Sequence, residues 1–411
     1  MSEETNDVLS DHRHYVNPGW ADIVDALGLP ISGLRGEGSW IVTEDGAGML
    51  DMIACFGAAV LGHNPPVLLA AIHRALDRHS PMTAPLGVIP EAGQLASTLL
   101  SLAGHGLTKV HFASSGAEAV DTALKSAAAI TGRNRFIAIK GGFHGLSIGA
   151  TSLAGGGGWR APFPDLWLPC LHVECGDLSD LEHQLARGDV AAVFLEPVPG
   201  SDAGDGWLPE DLSNVGALCR HYGAMLIVDE VQTGLGRTGA WFAFHGAGAD
   251  FHPDVVLVSK ALTGGMLPVS AVLMTEAVFA AVFGSPGCAK IHGSTLAGNR
   301  LAMECGLAVL RALDDGRLIA RAEAAGQRLR MGLEEKSGSG GEGRVLGRGL
   351  LLSFQCGKTV EEANTNWLQM VRHGLLVSRV PHAPTFARLT PAFTISDDDI
   401  DLFLDGVIVT G

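Results

Sequence analysis

Ala224-Met225-Leu226-Ile227-Val228-Asp229-Glu230-Val231-Gln232 decides the fold. An unbroken apolar run reads as a strand buried on both faces. An acid at its end costs free energy unless a cation or a hydrogen-bond donor meets it. Pro253-Asp254-Val255-Val256-Leu257-Val258-Ser259-Lys260 repeats the pattern with a lysine in the exit position, a rare neighbour for a buried run. Similar runs stand at Lys109–Phe112, Arg135–Ile139, Val190–Leu195 and Ser270–Met274. Between several of them lie amphipathic segments. Val120, Leu124 and Ala127 fall at helical spacing, as do Leu212, Val215 and Cys219. Buried strands separated by helices predict an α/β fold, a mostly parallel sheet with helices on both faces. Ligands of such sheets gather beyond the carboxyl ends of the strands.

The rest of the composition fits a folded acidic protein. Of 411 residues, 47% are hydrophobic and 18% charged, with a formal net charge of −16. That apolar content excludes a disordered chain, and the acidic balance argues against nucleic acid as a partner. The seven cysteines are scattered in an odd count, which reads as reduced cytoplasmic thiols. His172 and Cys175 resemble half a metal site, but no second half follows, so no metal is expected. Met1 to Ser10 is acidic and polar, unlike a secretory signal. No apolar stretch reaches the ~20 residues of a membrane span.

Along the chain, residues 1–13 read as a solvated tail, and Ser39 to Asp51 as two strands joined at Asp45-Gly46. Gly62-His63-Asn64-Pro65-Pro66 precedes a helix over Val67 to Arg78. Arg300 to Leu333 reads as one long helix, followed by a flexible Ser337-Gly338-Ser339-Gly340-Gly341 loop, the Arg344–Gln355 stretch and an acidic helix near Ser396–Leu404. Asp397-Asp398-Asp399 suits the start of that last helix, where the dipole favours negative charge. The expected organisation is an N-terminal segment (1–65) joining a small domain, a large domain (66–300) and a C-terminal small domain (301–411).

Three strand exits carry the chemistry. After Lys109–Phe112 comes Ser114-Ser115-Gly116-Ala117-Glu118, with capping-box spacing and a glycine at the turn. Free backbone N–H groups and the helix dipole there suit an anion, although an ordinary capped helix has the same signature. Asp229 and Lys260 occupy the other two exits. The chain has only seven lysines, and only Lys140 and Lys260 lie where a sheet would present them to a ligand. A strand-end lysine, a strand-end acid and a phosphate cradle form one set. Lysine condenses with an aldehyde, and an acid keeps a pyridine ring protonated, which is what pyridoxal phosphate requires. Gly234-Leu235-Gly236-Arg237-Thr238-Gly239 imitates a dinucleotide fingerprint but does not directly follow its strand. Gly145-Leu146-Ser147-Ile148-Gly149 imitates a hydrolase elbow but lies too far past its strand.

These residues resemble the class III aminotransferases, pyridoxal-phosphate enzymes of fold type I that include the ornithine, acetylornithine and ω-amino-acid transaminases. The resemblance rests on Leu226 to Gly239, Pro253 to Leu262 with Gly264-Gly265, Ser115-Gly116-Ala117-Glu118-Ala119, Gly142-Phe143-His144-Gly145, Glu196-Pro197-Val198, His292-Gly293-Ser294-Thr295 and Gly62-His63-Asn64-Pro65. It runs from about residue 15 to the C-terminus. It implies a seven-stranded, mostly parallel sheet with a smaller α+β domain, pyridoxal 5'-phosphate as cofactor, and a homodimer. By position, Lys260 would be the Schiff-base lysine and Asp229 the partner of the pyridine nitrogen. Val231 would pack under the ring, Phe143 over it, and Gln232 would approach the phenolic oxygen. Ser115, Gly116 and Ala117 would hold the phosphate. Thr295 would reach it from the neighbouring subunit. His144 and Glu196 join the cofactor-binding set, and Arg388 would grip a substrate carboxylate with a bidentate guanidinium.

The resemblance implies transamination in two half-reactions, between an amine or amino-acid donor and a keto-acid or aldehyde acceptor. A racemase, aminomutase or decarboxylase with the same cofactor shares these motifs, and a nicotinamide oxidoreductase is the more distant alternative. The chain departs from ornithine-type members at Ser201, where they carry a glutamate that pairs with the carboxylate-binding arginine. Pro199 and Leu146 depart as well.

Overall fold

The computed structural model describes residues 3–29, 33–43, 46–156, 158–163, 165–337 and 345–410. Seven strands form the central sheet: β1 (Lys109–Ala113), β2 (Arg135–Ile139), β3 (Cys170–Val173), β4 (Val190–Leu195), β5 (Met225–Asp229), β6 (Val255–Val258) and β7 (Ser270–Met274). Their order is β1-β7-β6-β5-β4-β2-β3. β7 runs antiparallel to both of its neighbours, and every other pairing is parallel.

Alternation along each strand feeds two cores. Ile137, Val193, Leu226, Val228 and Val256 pack with Leu212, Val215 and Cys219 of the Pro209–Tyr222 helix on one face. Phe136, Phe194, Ile227, Leu257 and Val272 pack with Val120, Leu124 and Ala127 of the Gly116–Thr131 helix on the other. Burial on both faces explains why these strands read as continuous apolar runs. β3, an edge strand of sequence Cys-Leu-His-Val, has no such run and is absent from the sequence reading. Its His172 serves the fold: Nε2 lies 3.2 Å from Leu153 O.

The N-terminal tail is a correction. Glu3–Tyr15 is helical and packs on the Pro18–Leu27 helix, with Leu9 buried and Arg13 Nε 3.0 Å from Asp22 Oδ1. Asn17 caps the second helix and Pro18 opens it, a start signal that separates the two helices. Trp40–Val42 and Gly48–Asp51 pair antiparallel as expected, and Leu375–Leu376 joins that sheet beside Gly48–Asp51. Asp45 of the turn, the 338–341 loop residues and Arg344 lie outside the described residues.

The single long helix expected from Arg300 is also corrected. Arg300–Asp315 and Leu318–Lys336 are separate, broken at Gly316-Arg317, where Arg317 takes φ +50°. A second antiparallel sheet follows from Val345–Arg348, Leu351–Gln355, Phe386–Leu389 and Ser378–Arg379. Asp397–Gly406 is the last helix. Ser396 and Asp399 form its capping box, and Asp397 bonds Arg321 at 2.8 Å.

Candidate active site

β5 and β6 are parallel neighbours in a register that sets Asp229 opposite Leu257. The two exits therefore deliver Asp229 and Lys260 to one place. Asp229 is buried; its Oδ2 lies 2.7 Å from His144 Nδ1, and its Oδ1 accepts the Val231 N–H at 3.0 Å. His144 is fully enclosed and its Nε2 has no partner. Burial pulls the imidazole pKa down, but the Asp229 hydrogen bond and the charges of Asp229 and Glu196 outweigh it, and the pKa is raised. The Asp229 carboxylate oxygens keep lone pairs to spare for a further donor.

Lys260 opens the short 3₁₀ turn Lys260–Thr263 with φ +39°, a left-handed conformation costly for a side chain. Its Nζ donates to Gln232 Oε1. Burial, then the charges of Arg388 and Arg237, pull its pKa to about 8 against the opposing pull of Glu196 and Asp229. The free-base fraction at neutral pH is therefore far larger than for an ordinary lysine, which favours a nucleophile. Gln232 is buried and its Nε2 has no partner.

Glu196 follows β4. Its two carboxylate oxygens accept the N–H groups of Phe143 and Gly200, each at 3.1 Å, and burial raises its pKa. The Phe143 ring sits 5.6 Å from that of Trp159.

At the exit of β1, Ser115 Oγ caps the Gly116–Thr131 helix by accepting the Glu118 N–H at 3.2 Å. Glu118 reaches back to Ser114 N–H at 2.8 Å rather than to Ser115, so the capping box is displaced by one residue. β7 begins beside this turn, and Ser270 Oγ bonds Ser115 O at 2.7 Å. A Cβ on Gly116 would lie 3.3 Å from Val231 Cγ1, so glycine brings the anion-binding turn against the residue that follows the Asp229 exit.

Arg388 comes from the Phe386–Leu389 strand. It is buried, its Nε has no partner, and burial lowers its pKa against the pull of Glu196. No carboxylate lies within ion-pair distance of it among the described residues. Ser201 spends its carbonyl on the His382 N–H at 3.1 Å and supplies no charge there. Arg388, Lys260, Glu196 and Asp229 act on one another electrostatically and form one site.

Thr295 is not brought to Lys260 within the chain. It is exposed, in a separate cavity of about 910 Å³ walled by residues 83–85, 87–90, 92–93, 96, 110–112, 289–290, 292–295 and 297–298. Its neighbour Ser294 bonds Ser114 Oγ at 3.0 Å, one residue from the cradle.

Two supports escaped the sequence reading. Arg237, inside the Gly-rich segment, is fully buried. It donates to Gly57 O (3.0 Å), Leu350 O (3.1 Å) and Pro391 O (2.6 Å), and lies 4.7 Å over the Phe393 ring. Burial pulls its pKa to about 9. The segment is a tight turn closed by Gly236 N–H to Ala240 O at 3.1 Å, not the start of a helix, so it is no dinucleotide loop. Its arginine was the available signal. The other support is Ala54-Cys55-Phe56, left-handed at φ 45°, 54° and 55°. Asp51 Oδ1 accepts the Ile53 and Ala54 N–H groups, and Thr390 Oγ1 donates to Ile53 O at 2.7 Å. Ser147 caps the Ile148–Ser152 turn through Ala150 N–H at 3.3 Å, a structural use of the false hydrolase motif.

A heterocyclic aldehyde phosphate matches the unspent groups at this site: Lys260 Nζ, a free Asp229 lone pair, the unpartnered donor Gln232 Nε2 and the helix start at Gly116. Fold and site together define a pyridoxal-phosphate-dependent protein of fold type I. The class-III aminotransferase family model matches residues 25–409, and the chain belongs to that family of pyridoxal-phosphate-dependent aminotransferases. Aminotransferase PigE of Serratia sp. is 33% identical over 86% of this chain, which spans only 41% of that relative's length. A putrescine aminotransferase of Pectobacterium atrosepticum is 34% identical, covering 96% of this chain and 86% of its own. Among solved structures, the ornithine aminotransferase of Toxoplasma gondii superposes with TM-score 0.86 at 26% identity, over 98% of this chain and 94% of its own. A PLP-bound amine transaminase from an uncultivated Pseudomonas species gives 0.82 at 27% identity, over 92% and 94%.

Proposed function

We propose that the chain transfers an amino group between a carboxylate-bearing amine donor and a keto acid, with Lys260 as the amine that binds the cofactor and moves the proton. The observation that carries this is the meeting of Lys260, its pKa pulled to about 8, with the Asp229–His144 pair at adjacent strand ends.

Bound pyridoxal phosphate supplies a protonated ring that withdraws electrons from the carbon bearing the amine. Asp229 keeps that ring nitrogen protonated, and the buried His144 fixes the Asp229 carboxylate. Val231 and Phe143 would border the ring faces, and Gln232 Nε2 would donate to its phenolic oxygen. The N–H groups of Gly116 and Ala117 with the Ser115 cap hold the phosphate. Glu196 orients Phe143 through its backbone N–H. Lys260 Nζ takes the proton from the substrate carbon, a role favoured by an amine whose pKa burial has lowered. Arg388, a buried cation that forms no ion pair among the described residues, supports a substrate carboxylate over a bare diamine, because a second cation would leave its guanidinium unpaired.

The proposal includes a homodimer in which Thr295 serves the phosphate across the subunit boundary. Exposed Leu86, Ile291 and Leu296 beside the Thr295 cavity support such a contact. It also includes the division into a large unit, 66–300, and a small unit built from 1–65 and 301–411. The seven free cysteines support a reducing, cytoplasmic setting.

Borohydride reduction of the loaded protein, followed by peptide mass mapping, should place the cofactor mass on Lys260. A label on another amine, or none, sinks the assignment. A panel of amines and amino acids, followed by the loss of the cofactor's absorbance band, then identifies the donor and separates transamination from racemisation or decarboxylation.

A further inference from the structure

His292 is held at both ring nitrogens. Thr122 Oγ1 lies 2.8 Å from Nε2, and Lys125 Nζ lies 2.9 Å from Nδ1. An ammonium has donors only, so Nδ1 accepts. The ring is therefore neutral, with its proton on Nε2, which donates to Thr122 Oγ1. Thr122 in turn donates to Glu118 O at 2.8 Å. Two residues further on, Ser294 Oγ bonds Ser114 Oγ at 3.0 Å, and Glu118 Oε2 holds the Ser114 N–H at 2.8 Å. The loop is thus fastened to the Gly116–Thr131 helix near its start and again further along.

We propose that His292 is a positioning residue: as a neutral imidazole it latches the loop carrying Thr295 to the helix whose start forms the phosphate cradle, and its protonation opens the latch. The inference rests on the proposed service of that loop to the cofactor. Protonation turns Nδ1 from acceptor to donor and sets a cation against the Lys125 ammonium.

The groups facing His292 are Lys125, Asp121 and Glu118 on the helix and His111 on β1, whose ring is 5.6 Å away. Burial and Lys125 lower the His292 pKa, while Asp121 and Glu118 oppose them. Burial and His292 push His111 to about 4, so it is neutral around neutral pH. Because the latched state binds fewer protons, the latch is fully closed above the ordinary imidazole range and is lost as pH falls through the lowered value.

Hydrogen exchange on the cofactor-loaded protein tests this. The reporting amides are Ala297, which donates to Ser294 O, and Asn299, which donates to Leu296 O, each at 3.2 Å. After correction for intrinsic exchange, wild-type protection should fall several-fold between roughly pH 8 and pH 5.5. His292→Ala should show low protection at both values. Lys125→Met keeps the Thr122 bond and removes the opposing cation, so it should hold its protection in acid. Wild-type protection that ignores pH, or full protection in His292→Ala, overturns the latch. Thr295→Val separates the two readings: unchanged cofactor affinity in that variant defeats the phosphate role of Thr295, while the exchange results alone decide the latch.

Discussion

Lys260 and Gln232 meet across the ends of two adjacent parallel strands, the lysine amine donating to the amide oxygen. The contact leaves Gln232 Nε2 buried and unspent. Arg388 adds its charge to the same place and helps to lower the Lys260 pKa. Removing that charge in Arg388→Ala should raise the pKa of Lys260 above its present value of about 8. The pH dependence of Lys260 acylation in the cofactor-free protein, followed by mass mapping, measures this. A midpoint that stays put refutes the electrostatic link.

The same variant tests substrate choice. Arg388→Ala should reduce kcat/KM for α-carboxylate substrates by roughly 10²-fold or more, the scale of a lost charge-assisted contact, and spare simple amines. Equal losses for both classes would remove Arg388 from the substrate site.

Asp229→Ala strands a fully enclosed His144 without its counter-charge. Breaking a buried pair from one side costs about 3–5 kcal/mol. Thermal unfolding should show a large loss, with activity down by at least ~10² as the ring loses its proton-holding partner. His144→Asn, which leaves the carboxylate in place, should cost less in activity than Asp229→Ala. The reverse order would mean that the imidazole, not the acid, holds the ring.

Gly57 takes φ +86°, and a Cβ there would lie 2.5 Å from Gln232 Nε2. Gly57→Ala should therefore cost about 1–2 kcal/mol in backbone strain alone, and it should also displace Gln232 and weaken cofactor binding. Unaltered cofactor affinity, read by equilibrium dialysis, would show that Gln232 does not contact the cofactor.

Glu230 is enclosed, its pKa raised to about 7 by burial against the hydrogen bonds of Thr233, Phe244 and Ala243. A raised carboxyl contributes stability that is complete below its unfolded value and is lost as pH rises through the folded one. From about pH 5 to pH 8 the Tm of Glu230→Gln should therefore fall less than that of wild type. Parallel curves would show that Glu230 is not protonated in the native state.

The sequence by itself determined the sheet and the chemical set. Strands buried on both faces announce themselves as apolar runs, and charged residues such as Asp229 and Lys260 stand out at their ends because burial of charge is expensive. The edge strand Cys170–Val173 was not legible, since an edge needs no such run. Nor were the helix Glu3–Tyr15, stabilised by contacts with its neighbour, and the break at Arg317, a left-handed turn at a residue that rarely adopts one. Only the tertiary structure decided what Arg237 does, because its acceptors are carbonyls at residues 57, 350 and 391, far apart in the chain. The same holds for the burial of Arg388 and the clamp on His292. Whether a buried cation has a partner depends on side chains gathered from distant segments, and local pattern carries no record of that meeting.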